Sequence, residues 1–199
     1  MRLLLATRNE HKRREFARLL AAEPDRALQI DLLPENVSLP PELGTSYAEN
    51  ALGKARAAAR ATGRLAIADD SGIEAEALRG APGVRSARYA GEGASDEENL
   101  AKLMREAPAG SRLRYVCAIA CVDPAGGEER LFEGRCGGRL AAAPRGARGF
   151  GYDPAFLPAD GPPRLTMAEL SDQQKDAISH RGRAFRTLAP FITAVSKAA

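Results

Sequence analysis

The sequence predicts an α/β protein whose sheet combines parallel and antiparallel strands. Two observations carry this. In the first half, short apolar runs alternate with amphipathic helical stretches, the pattern of strand–helix–strand units. Further on, two strand-like runs, Leu113–Val122 and Glu129–Gly138, follow one another with only the turn "DPAGGE" between them, the pattern of adjacent antiparallel strands.

The elements follow in order. "RLLLA", Arg2 to Ala6, is a buried first strand, and "TRN" is the turn into a helix over "EHKRREFARLL" with Phe16, Leu19 and Leu20 on one face. Leu28 to Leu33 is a second strand. Residues 34–45, with three prolines and a glycine, form a loop. Ser46-x-x-Glu49 is a capping-box pattern opening an Ala-rich helix that Gly63 stops. "LAIA" is a buried strand that ends at Asp69 and Asp70. Ile73 to Leu78 alternates apolar and acidic residues, as a half-exposed strand does. Ser95-x-x-Glu98 opens a helix with Leu100, Leu103 and Met104 inward. A loop dense in Gly, Pro and Arg precedes a last helix with Phe185, Leu188, Ile192 and Val195 inward, in which Pro190 predicts a kink or break.

At 199 residues the chain suits one domain, 1–199, with room for a substantial core. A net charge of +3 is too mild to predict nucleic-acid binding. Arginine outnumbers lysine 24 to 5, so most positive charge sits on a side chain suited to carboxylates and phosphates. No apolar run approaches the ~20 residues of a membrane helix, and the N-terminus meets charge too early for a signal peptide. Cys117 and Cys121, four apart in a strand, share one face. With Cys136 they are expected to be reduced core thiols, which places the chain in a reducing cytoplasm.

Four stretches offer chemistry. "TRNEHK", Thr7 to Lys12, sits where a strand gives way to a helix. Free backbone N–H groups and the helix dipole favour an anion there, and the same residues also suit a plain polar cap. "DDSG" presents hard oxygen donors suited to Mg²⁺, or a solvated turn. "GFGYDP", Gly149 to Pro154, offers Phe150 or Tyr152 as a flat face for a base, or a structural aromatic loop. "KDAISHRG", Lys175 to Gly182, brings His180 and Arg181 as donors for carbonyl or phosphate oxygens, or as parts of a helix start. No serine–histidine–acid order stands out. Anion donors, hard carboxylates and an aromatic loop together fit a magnesium–nucleotide site better than a nucleophilic hydrolase.

Six stretches in one order, "TRNEHK", "ENALGKA", "ADDSG", "GAPGVRSARYAG", "GFGYDP" and "ISHRG", resemble the motifs of the Ham1-like family of inosine/xanthosine triphosphate pyrophosphatases over nearly the whole chain. The resemblance implies an elongated mixed β-sheet flanked by helices, in two lobes with a nucleotide cleft between them. It implies a homodimer, Mg²⁺ dependence, and hydrolysis of dITP, ITP and XTP to the monophosphate and pyrophosphate. That activity removes deaminated purines before they enter DNA or RNA. Carried over by position, Thr7, Arg8, Asn9, Glu10, His11 and Lys12 bind the triphosphate. Asp70 is the catalytic acceptor and a metal ligand, and Glu42 is the second metal carboxylate. Ser71 touches substrate, and Phe150, Gly151, Tyr152 and Asp153 line the base pocket. Lys175 binds the nucleotide, and His180 and Arg181 read the base. Three features depart from the family pattern: Arg8 where a small residue is common, the proline-rich "PPELG" around Glu42, and Pro190. Competing expectations are a Maf-like nucleotide pyrophosphatase preferring pyrimidine or modified bases, a non-catalytic nucleotide-binding protein, and a phosphatase with an aspartate nucleophile that releases orthophosphate.

Overall fold

The computed structural model describes residues 2–23, 29–125 and 129–198, with side chains as far as 195. Among these residues six strands form one sheet: β1 (Arg2–Leu5), β2 (Gln29–Leu32), β3 (Ala66–Ala75), β4 (Arg112–Val122), β5 (Glu129–Leu140) and β6 (Phe156–Pro158), in the order β2-β1-β3-β4-β5-β6. β1 runs parallel to both β2 and β3, whereas β5 and β6 are antiparallel. The helices are α1 (Glu10–Ala21), α2 (Tyr47–Thr62), α3 (Asp96–Glu106), α4 (Asp172–Ile178) and α5 (His180–Ala198). This mixed, helix-flanked sheet is the α/β class expected. Leu28 of the second strand and residues 126–128 of the predicted turn lie outside the described residues.

The chain folds as two compact units. The first comprises Met1–Asp70, Cys117–Glu133 and Ala184–Ala199, the second Ser71–Val116 and Gly134–Arg183. The first unit's core joins Leu3, Leu5, Phe16, Leu19 and Ile67 to Cys117, Ile119, Cys121, Phe185, Leu188 and Ile192. Cys117 and Cys121 do share one face, and both are buried free thiols. The second unit's core gathers Ile73, Leu100, Leu103, Leu113, Tyr115, Cys136, Leu140, Phe156 and Met167.

Local signals set most element ends. Ser95 and Glu98 form a reciprocal capping box on α3. At α2, Ser46 caps the Glu49 N–H, but the Glu49 carboxylate reaches Thr45, accepting from its N–H (2.7 Å) and its hydroxyl (3.0 Å). Gly63 closes α2 in the left-handed region at φ 64°, where a Cβ is penalised.

Two expectations are corrected. The strand does not stop before the aspartates. β3 runs unbroken through "ADDSG" to Ala75, and Glu76–Leu78 is a short 3₁₀ turn, so Ile73–Leu78 is not a separate strand. Asp69 and Asp70 are buried and meet hydrogen-bond donors inside the fold, so their charge does not force the chain out to solvent. Nor does Pro190 break the last helix, which continues through it. Pro190 and Arg186, the residue whose carbonyl loses its helical donor, are both exposed, so water can satisfy that carbonyl. Buried Phe185, Leu188, Ala189 and Ile192 hold the helix on either side, whereas Val195 is only half-buried.

Candidate functional site

Candidate residues gather in two constellations, one in each unit. In the first unit the pleat of β3 sends adjacent side chains to opposite faces. The Asp69 carboxylate pairs with Lys12 Nζ at 3.1 Å, and Asp70 Oδ2 accepts from Asn50 Nδ2 at 2.9 Å. Asn50 Oδ1 in turn accepts the Gly44 N–H at 2.8 Å, tying the loop that carries Glu42 to the start of α2. Lys54, one turn further along α2, donates to Glu42 Oε1 at 2.5 Å and to the Asp69 carbonyl oxygen at 2.6 Å.

Electrostatics follow from this packing. Burial pushes the Asp70 carboxyl above the ordinary carboxylate range. Lys54 opposes the rise, Glu42 adds to it, and Lys12 and Asn50 pull back. Burial also works against the Glu42 charge, but Lys54 and Lys12 outweigh it and hold that carboxyl low. Lys54 is likewise penalised by burial, yet Asp69, Glu42 and Asp70 keep its pKa above the ordinary value. Glu42, Lys54 and Asp70 thus each feel the charge of the other two or of their shared neighbours.

The start of α1 is built by local hydrogen bonds. Asn9 caps the helix through the Lys12 N–H (3.0 Å), and the Asn9 N–H donates to Thr7 Oγ1 (3.2 Å). Glu10 and His11 are exposed in the first turn, Glu10 beside Arg13 and His11 beside Arg14. Arg8 turns to the proline-rich loop and donates to four carbonyl oxygens, of Leu33, Pro34, Glu35 and Val37.

The second unit holds the other constellation. Asp153 is buried and central. Its Oδ2 accepts from Lys175 Nζ (2.6 Å) and from the Phe150 N–H (2.9 Å), and its Oδ1 accepts from the Tyr115 hydroxyl (3.1 Å). Lys175 Nζ lies 4.9 Å from the Phe150 ring centroid and the Arg181 guanidinium 5.9 Å, so two cations border one half-buried aromatic ring. Arg181 donates to Ser71 Oγ at 2.8 Å. Tyr152 is buried with its hydroxyl on the Ser86 carbonyl oxygen (2.7 Å), and the Gly151 N–H donates to Asp96 Oδ2 (2.8 Å).

The glycines of these motifs answer to sterics. A Cβ on Gly149, at φ 74°, would lie 2.1 Å from Asp153 Oδ2. A Cβ on Gly182 would lie 2.0 Å from the Asp176 carbonyl oxygen, so "SHRG" lets the start of α5 close onto α4. Ser179 accepts the Gly182 N–H at 3.0 Å, leaving His180 and Arg181 fixed in the first turn.

The structure therefore brings Lys12, Glu42 and Asp70 into one group, and Ser71, Phe150, Asp153, Lys175 and Arg181 into another. Sequence inspection missed Asn50, Lys54 and Tyr115. Asn50 and Lys54 lie four apart on α2, and buried polar residues one helical turn apart on an otherwise alanine face were the available signal. Among the described residues, no group of three or more His, Cys, Asp or Glu side chains is arranged to hold a metal ion alone.

Fold and residues define a class: an α/β protein with a buried carboxylate–lysine cluster and an aromatic ring bordered by cations. Within that class the chain belongs to the Ham1 family, whose model matches residues 3–191. It is 49% identical to a dITP/XTP pyrophosphatase of Frankia alni over 98% of both chains. It is 50% identical to one of Symbiobacterium thermophilum over 92% of this chain and 90% of that relative. Among solved structures, a HAM1 protein from Coxiella burnetii superposes with a TM-score of 0.84 at 37% identity, covering 98% of this chain and 99% of that one.

Proposed function

We propose that the chain hydrolyses non-canonical purine nucleoside triphosphates, dITP, ITP and XTP, at the α–β phosphoanhydride bond, giving the monophosphate and pyrophosphate. The observation that carries this is Asp70, a carboxyl buried among Lys12, Lys54 and Glu42. The reaction needs a water oriented at the α-phosphorus, a proton acceptor, and cations for the charge of the leaving pyrophosphate. Asp70 is the acceptor: Asn50 fixes one oxygen of its buried carboxylate, which holds the group in one orientation. Lys12 and Lys54 supply positive charge, and the start of α1 from Thr7 to Lys12 adds backbone donors for phosphate oxygens.

A divalent cation fits the donor set. Asp70 and Glu42 are hard oxygen ligands close enough to feel each other's charge. Two carboxylates without a closed protein cage suit Mg²⁺, which keeps waters and shares its shell with substrate phosphates. Asp70 and Glu42 would hold it. When bound, the ion supplies charge neutralisation and an acidified water.

The second unit's constellation serves the base. Phe150 offers the stacking face, and Lys175, His180 and Arg181 the donors. Hypoxanthine and xanthine carry an oxygen at C6 where adenine carries an amine. A donor aimed at that oxygen is left unpaired by adenine, and such sites discriminate by roughly 10⁴–10⁵. The cellular task is removal of deaminated purines before they enter DNA or RNA. A homodimer accords with the family resemblance, and a reducing cytoplasm with three free, buried cysteines.

The test is Asp70→Asn. It preserves size and the Asn50 contact but removes the proton acceptor. Turnover of ITP is expected to fall at least about a hundredfold, the scale of general-base loss, with the circular dichroism spectrum unchanged. A variant keeping a tenth of wild-type turnover would remove Asp70 from the mechanism.

A further inference from the structure

We infer that Tyr115, which lies in none of the recognition motifs, is a positioning residue for base recognition, holding the His180 ring with its face and the Asp153–Lys175 pair with its hydroxyl. The inference rests on the base-reading role proposed for His180.

Tyr115 is buried on β4, within the second unit. Its ring lies parallel to the His180 imidazole, centroids 4.5 Å apart and planes 5° apart. Phe156 also packs on the Tyr115 ring, tilted at 50° with centroids 4.7 Å apart. The imidazole is thus backed by a ring that is itself wedged, and it cannot rotate out of plane without displacing a packed core residue. A parallel stack leaves the edge of the imidazole, where both nitrogens lie, uncovered by the tyrosine. Recognition of a base oxygen needs a donor aimed in one direction, and a ring fixed in plane provides that.

The hydroxyl has a separate task. A buried tyrosine must place its O–H, and this one donates to Asp153 Oδ1. The other oxygen of that carboxylate holds Lys175 Nζ and the Phe150 N–H. One side chain on a sheet strand therefore touches both segments from which the base-binding groups arise, "GFGYDP" at Asp153 and "SHRG" at His180. Rigid strands position functional groups more sharply than loops do, and β4 is the strand available here.

Two variants separate the tasks. Tyr115→Leu removes stack and hydroxyl, whereas Tyr115→Phe removes only the hydroxyl. For Tyr115→Leu, KM for ITP should rise about tenfold or more while kcat falls less than about threefold, the signature of lost binding rather than lost chemistry. Tyr115→Phe should recover part of that KM, the remaining rise measuring the hydroxyl's hold on Asp153 and Lys175. A second readout does not depend on activity. The chain has two histidines, and His11 lies in the other unit, so His180 ring protons can be followed by NMR against an internal reference. The stacked tyrosine should shift them, Tyr115→Leu should abolish that shift, and Tyr115→Phe should keep it. If Tyr115→Leu does not fold, Tyr115→Met fills similar space and carries the same test.

Wild-type KM in Tyr115→Leu, with the fold intact, overturns the inference. So does an unmoved His180 signal. If the wild-type chain turns over no purine triphosphate, the proposed function itself fails, and the NMR signal alone then decides whether Tyr115 orders His180.

Discussion

Asp69 and Asp70 show how two identical neighbours acquire different duties. The pleat points them apart, one to Lys12 and one to Asn50, so their charges are answered by different partners. Lys54 joins the two halves of this cluster by bonding Glu42 and the Asp69 carbonyl oxygen. Lys54→Met keeps much of the volume but strands both acceptors. A loss of roughly 1–3 kcal/mol is expected, the usual cost of an unsatisfied buried partner. Thermal unfolding should register it as a drop in Tm of about 2–4 °C per kcal/mol for a chain this size. An unchanged Tm would mean that water replaces the ammonium at no cost. Cys136 is the opposite case, a group with no charge to be answered. Burial pushes its thiol up to about 11 from an ordinary 9.0, with Arg183 opposing and Asp160 and Asp153 adding. A thiol reagent at pH 8 should find none of the three cysteines in the folded protein and all three after denaturation. Because the folded thiol holds its proton more tightly than the unfolded one, its contribution to stability is fully present below about pH 9. It is lost as pH rises towards 11, at no more than about 1.4 kcal/mol per pH unit. Rapid alkylation at pH 8 would contradict the burial.

Among the elements, α5 carries the clearest consequence of tertiary context. Pro190 removes one helical hydrogen bond, yet the apolar face on either side is buried well enough to carry the helix through it. Since Pro190 is exposed and its helix otherwise regular, Pro190→Ala should stabilise the fold by about 1–3 kcal/mol, and denaturant unfolding should show a higher midpoint at unchanged slope. A lower midpoint would mean that the proline constrains the unfolded chain more than it strains the folded one. The same element marks what could be read in advance. Periodicity found the inward face of α5, and local capping patterns placed the starts of α2 and α3, because those signals act over three or four residues. Of the kink or break expected at Pro190 the break is absent, and the strand end expected at "ADDSG" is absent too, because long-range partners overrode a local signal. In the candidate site, the ordered motifs singled out Asp70, Lys175 and Arg181. Asn50 and Lys54, although inside "ENALGKA", and Tyr115, outside every motif, were not singled out, since their roles depend on what β3, the "GFGYDP" loop and α5 bring beside them.

At the scale of the whole molecule, the sheet continues from β2 to β6 while its residues serve two units, and each unit gathers its own kind of side chain. The first unit gathers lysines and carboxylates, suited to a polyphosphate and a hard cation. The second gathers an aromatic ring and directed donors, suited to a purine. The most direct test is turnover of ITP, dITP, XTP, ATP, GTP and dTTP by the full chain, with Mg²⁺ and with the metal chelated, assaying pyrophosphate and orthophosphate separately. Pyrophosphate from the first three nucleotides alone, and only with the metal present, is the expected result. Orthophosphate as the product, a preference for dTTP, or turnover that survives chelation would contradict it.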